Sequence, residues 1–143
     1  MEPVGVGLRA VATIIDTALL FVIGYIIAMF TGGTSRGGFE LSGIPAFIWL
    51  VIAIGYYTVM EAQSGATIGK RLVGLKVVKL DAAAAIDMQA SLVRNVLRIV
   101  DGIVFYLVAA IAVWTSDRKQ RIGDRVAGTI VVRARTTSET RVP

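Results

Sequence analysis

The sequence predicts an all-α membrane protein with two clear transmembrane helices, a third membrane-inserted helical segment that is either spanning or re-entrant, and a small two-stranded element at the cytoplasmic surface. Three observations predict it. Of the 143 residues 55% are apolar, and the mean hydropathy of +0.72 lies above that of ordinary soluble domains. Two apolar runs approach or exceed the roughly 20 residues that a bilayer core about 30 Å thick requires. Lys and Arg, which give the chain a net charge of +5, gather in the middle and toward the C-terminus, with only Arg36 between the two runs. Residues 1–135 read as one membrane domain, and "TTSETRVP" at 136–143 as a disordered polar tail.

Leu8 to Phe30 is the first span. Glu2 rather than a basic residue precedes it, Asp16 interrupts it and no small-residue cleavage site follows, so it reads as a retained helix and not a signal peptide. "TGGTSRGGFELSG" from Thr31 is a Gly-rich polar loop. Ile44 to Met60 is the second span, with Pro45 in the first turn, where its missing N–H costs least. Trp49, Tyr56 and Tyr57 suit interfacial anchoring or packing. Glu61 to Gln89 is too polar and broken to cross. Within it "RLVGLKVVKL" alternates loosely and predicts a short strand, for which "GTIVVR" from Gly128 is the matching partner.

The third segment has two readings. Asp87 or Ser91 is placed to cap a helix through Arg94, Arg98 and Asp101, followed by the uncharged run Ile103 to Trp114. That run alone is shorter than a normal span, whereas Val93 to Thr115 equals the first span in length. The basic residues Lys70, Arg71, Lys76 and Lys79 of the middle region and Arg118, Lys119, Arg121, Arg125, Arg133, Arg135 and Arg141 beyond it favour one side of the membrane, the cytoplasm, together with the N-terminus. A segment that turns back near Asp101-Gly102 satisfies this. The repeated spacing in "RAVATIID" and "RNVLRIVD" argues instead for two helices that cross alike.

Charge inside the bilayer is the main functional signal, since a carboxylate at a helix centre costs about 2.5 to 3.5 kcal/mol on insertion scales. Arg9 and Asp16 are seven residues apart and so share a face, but about 10.5 Å of rise separates them. Each therefore looks for a partner on another helix. Arg94, Arg98 and Asp101 also share a face, so Arg94 or Arg98 could neutralise Asp16, and Asp101 could accept Arg9. Such pairs read either as interhelical glue or as a cation or proton path. Glu61, at the end of the second span, reads as a solvated helix terminus more readily than as the lining of a vestibule.

"GATIGKR" from Gly65 is not a nucleotide loop, because three residues rather than four separate its glycines and Arg71 follows Lys70. It reads as a turn entering a strand, with Lys70 and Arg71 as candidate contacts to a lipid phosphate or an acidic partner. In "QRIGDRVAGTIVV", Asp124 could cap the next turn or bridge to Lys70 or Arg71. The chain has no Cys and no His, which removes disulfides, thiolate nucleophiles and imidazole metal ligands. No cofactor motif or nucleophile and base pair is visible, so neither an enzyme nor a bound cofactor or metal is expected, and nucleic acid is not an expected partner.

Taken together these pieces resemble the RDD family of small integral membrane proteins, named for one Arg and two Asp residues. Arg9 and Asp16 match the Arg and Asp of the first helix. "GATIGKRLVGLKVV" is similar to the family's Gly-x-Thr-x-Gly-Lys stretch, and "LVRNVLRIVD", "QRIGD" and "AGT" look like its later motifs. The second Asp corresponds to Asp101 or to Asp124. The resemblance implies a membrane domain of two or three helices, with transport as the expected role and assembly as the alternative. The transport would be of a cation or proton, including sodium/proton exchange, through an oligomer or with a membrane partner. The alternative is a non-catalytic accessory subunit of membrane complexes, for which the basic face of this sequence would meet anionic headgroups of the lipid bilayer or partner proteins.

Overall fold

The computed structural model describes residues 3–81, 84–103, 120 and 122–134, the side chains of 100–103 excepted. The first predicted span forms α1, Val6–Thr31, and the second forms α2, Gly43–Ser64. At 1.5 Å per residue these 26- and 22-residue helices are about 39 and 33 Å long, enough to cross. Buried residues of α1 recur at Arg9, Ala12, Thr13, Asp16, Leu20, Gly24 and Ala28, one stripe at helical spacing. The opposite surfaces carry exposed Ile14, Phe21, Phe30, Ile44 and Phe47, the side chains that a bilayer covers. Trp49 packs inward against Gly24 and donates its indole N–H to the Leu20 carbonyl at 2.9 Å, so this aromatic packs one helix on the other.

The Gly-rich connection is more ordered than a plain loop. It forms a hairpin of β1, Thr34–Ser35, and β2, Gly38–Phe39, whose Phe39 ring meets Phe21 and Tyr25 edge-on at 5.0 and 5.9 Å. At the other end of the helices, "GATIGKR" runs into one helical turn, α3 (Ile68–Leu72), capped by the Thr67 hydroxyl, which accepts from the Lys70 N–H. The expected simple turn into a strand is thus a short helix before one.

Strands β3, Leu75–Lys79, and β4, Thr129–Arg133, pair as the sequence predicts, and the structure adds that they run antiparallel with Leu75 opposite Arg133 and Lys79 opposite Thr129. Pro3 bridges to Val132, and the cluster of Val4, Ala12, Leu75, Val77, Ile86 and Val131 seats the ribbon beneath the N-terminal end of α1. Helix α4, Met88–Ile103, begins with Asp87 accepting the Ala90 N–H at 2.7 Å, and packs along α2. A five-residue helix, α5 (Ile122–Val126), leads into β4. The ribbon brings the chain before α4 and the chain after α5 to one end of the molecule. Residues 104–119, which hold most of the third apolar run, and the predicted tail lie outside the described residues.

Candidate functional site

The N-terminal half of α1 and the C-terminal half of α2, with α3, α4 and α5, enclose a buried constellation of charge. Asp16 is 1% exposed. Its Oδ1 accepts from the Tyr56 hydroxyl at 2.7 Å and the Gly69 N–H at 2.8 Å, and its Oδ2 from the Thr67 hydroxyl at 2.6 Å. The irregular backbone around Thr67 and Gly69 is covered by protein and its polar groups are partnered. The approach depends on glycine: a Cβ on Gly69 would lie 2.1 Å from the Ala12 carbonyl oxygen and 2.9 Å from the Asp16 carboxyl carbon.

Glu61 is the hub of the second group, with no exposed surface. Its Oε2 accepts from Arg94 Nε at 2.9 Å and from Asn95 Nδ2 at 3.0 Å, while its Oε1 accepts from the Lys70 ammonium. Asn95 also donates to the Ser91 carbonyl, and the Ser91 hydroxyl donates to the Thr58 carbonyl, which ties α4 to α2. Burial pushes the Lys70 ammonium down to about 8; the attraction of Glu61 opposes this, and the nearby Arg94 and Arg98 cations add to it.

Asp124 joins the remaining elements. Its Oδ2 accepts from Arg9 Nη1 at 2.9 Å and its Oδ1 from Arg94 Nη1 at 2.7 Å. Charge therefore runs continuously from Arg9 on α1 through Asp124 on α5, Arg94 on α4 and Glu61 on α2 to Lys70 on α3. Gly123 makes this contact available, since a Cβ there would lie 2.8 Å from the Arg94 carbonyl oxygen. Arg98 stands apart. It donates from Nη2 to the Thr13 hydroxyl at 3.1 Å, and its guanidinium lies 4.0 Å from the centre of the Tyr57 ring.

The structure re-pairs the predicted partners. Arg9 and Asp16 do not pair with each other, as expected, but Asp16 is held by neutral donors and not by Arg94 or Arg98. Arg9 meets Asp124, and the Asp101 side chain, its expected acceptor, lies outside the described residues. Asp124 bridges to the two arginines in place of Lys70 or Arg71. Lys70 is buried on Glu61 and is not available as a surface lipid contact, whereas Arg71 is exposed. Glu61 is the largest correction: it is an interior residue. The signal was its place eight residues after Ala53 and four after Tyr57, all three buried on one face of α2. Tyr56, Thr67 and Asn95 were also missed, because neutral donors carry no charge signature.

The arrangement can hold elements together and can hold or exchange a proton or cation at a carboxylate. Among the described residues no three carboxylates converge as metal ligands. The model of the RDD family matches residues 3–128. The chain belongs to the RDD family. No curated protein and no solved structure gives a match. With its two apolar helices, this RDD chain is a small membrane protein. Of the two candidates for the second Asp, Asp124 contacts Arg9, and the Asp101 side chain lies outside the described residues.

Proposed function

We propose that this RDD protein is a non-catalytic membrane assembly subunit, a rigid intramembrane unit that presents its lipid-facing helices and basic end to a membrane partner or a second copy. The observation that carries the reading is the continuous chain Arg9–Asp124–Arg94–Glu61–Lys70, in which both carboxylates are shared between cations in direct, buried contact. Charges used in this way orient elements rather than line a path. Exposed Arg71, Lys76, Arg125 and Arg133 share the end that holds the ribbon, against Arg36 at the hairpin end. This supports a cytoplasmic ribbon and attraction to anionic headgroups.

One observation favours a second reading, cation or proton transport of the sodium/proton exchange type. Among the described residues Asp16 accepts only from neutral groups, and the Tyr56 and Thr67 hydroxyls can rotate to offer oxygen to a cation. Two or three helices cannot enclose a path, so this reading requires an oligomer or a partner. Sodium and proton fluxes in proteoliposomes decide between the two. The assembly reading expects wild-type fluxes no greater than those of empty liposomes. Flux that disappears in Asp16→Asn, with an unchanged melting profile, establishes transport and removes the assembly reading.

A further inference from the structure

Arg98 combines with a feature that neither reading uses. A groove of about 380 Å³ runs between α1, α2 and α4, within the roughly 300–1,000 Å³ typical of small-molecule sites. Its walls are apolar and include Leu20, Trp49, Leu50, Ala53 and Ile54, and Arg98 lies beside Tyr57 at one end. Along α2 the lining runs from Trp49 to Tyr57, about 12 Å of rise.

We infer that this groove binds one acyl chain of an anionic phospholipid, with the Arg98 guanidinium receiving the phosphate. Arg9, Lys70 and Arg94 each contact a carboxylate, but Arg98 contacts none among the described residues. A guanidinium has five N–H donors in a planar fork that matches phosphate oxygens, and Thr13 takes one hydrogen bond. Depth agrees with this. Tyr57 is 14 residues from the start of α2 and Thr13 is 18 residues from the end of α1, so Arg98 lies about 21 to 27 Å from the hairpin end. In a core about 30 Å thick, that is close to the opposite headgroup layer. Free phosphate has no use for the apolar walls, whereas a lipid fills both parts.

Trp49 in the groove wall reports occupancy directly. With the second tryptophan removed by Trp114→Phe, the protein is reconstituted in nanodiscs of neutral lipid and titrated with brominated-chain phosphatidylglycerol or brominated-chain phosphatidylcholine. Trp49 should be quenched at about fivefold lower mole fraction of the anionic lipid, the effect of one basic residue at an anionic headgroup. Arg98→Gln should bring the two lipids together, and Arg98→Lys should keep most of the preference. Ala53→Phe, which fills the groove and leaves Arg98 in place, should weaken quenching by both and serves if Arg98→Gln fails to fold. Equal quenching by the two lipids in the parent protein overturns the proposal, as does an unchanged preference in folded Arg98→Gln or unchanged quenching in Ala53→Phe. Quenching reversed by inorganic phosphate with no acyl-chain requirement also overturns it.

Discussion

Gly69 and Lys70 are adjacent, and each carries a constraint that its neighbour does not share. Gly69 lets α3 touch α1 while its N–H reaches Asp16. Gly69→Ala should therefore cost about 1 to 3 kcal/mol or more, the range for overpacked sites. Gly55→Ala, in α2 with open space at its Cβ, should be neutral or stabilising by up to about 1 kcal/mol. Melting in detergent separates the two. Lys70 makes a pH prediction. Its pKa lies near 8 in the fold and at 10.5 unperturbed, so between those values the unfolded chain binds more protons and stability rises with pH. Melting points of wild type and Lys70→Met, compared from pH 7 to 10.5, should show the wild type gaining relative to the mutant above about pH 8. A gain below pH 8, or none, contradicts the assignment.

Shared carboxylates join several of the elements. Helix α5 has only five residues, too few for stability by itself, and Asp124 anchors it to α1 and α4 together. Among the described residues, Asp124→Asn leaves the buried Arg9 guanidinium without a carboxylate and Arg94 with Glu61 alone, and should destabilise by about 3 to 5 kcal/mol. A double-mutant cycle of Arg9→Gln with Asp124→Asn should return a coupling of about 1 to 3 kcal/mol. Additive effects would mean that the contact does not hold the two helices. The ribbon was legible from sequence because β-branched alternation is local, and Asp87 as a helix cap was legible for the same reason. The α3 turn was not, because its five residues take their shape from Thr67 and Gly69 meeting Asp16, a contact across 51 to 53 positions.

At the scale of the molecule, the ribbon fixes both of its strands at one end, and the chain's lack of cysteine makes topology directly measurable. Ser35→Cys should react with a membrane-impermeant maleimide in intact cells. Arg71→Cys and Arg133→Cys should react only after the membrane is opened. Opposite labelling of the last two would contradict the β3 and β4 pairing, and matched labelling of all three would contradict the two-span arrangement.

Hydropathy determined the membrane class, the two spans and the two strands, because each follows from composition or period within a few turns of chain. Local reading also identified Arg9, Asp16, Arg94, Arg98 and Asp101 as charges that must find partners, since desolvation cost depends on depth and not on neighbours, while it gave Asp124 only a turn cap or a bridge to Lys70 or Arg71. Which partner each one found was decided only in three dimensions. A salt bridge depends on where two side chains end, and helix packing brings Glu61 to Arg94 and Asp124 to Arg9 across 33 and 115 positions. The same packing hides Lys70 and leaves Arg98 beside an apolar groove, distinctions that no spacing rule carries.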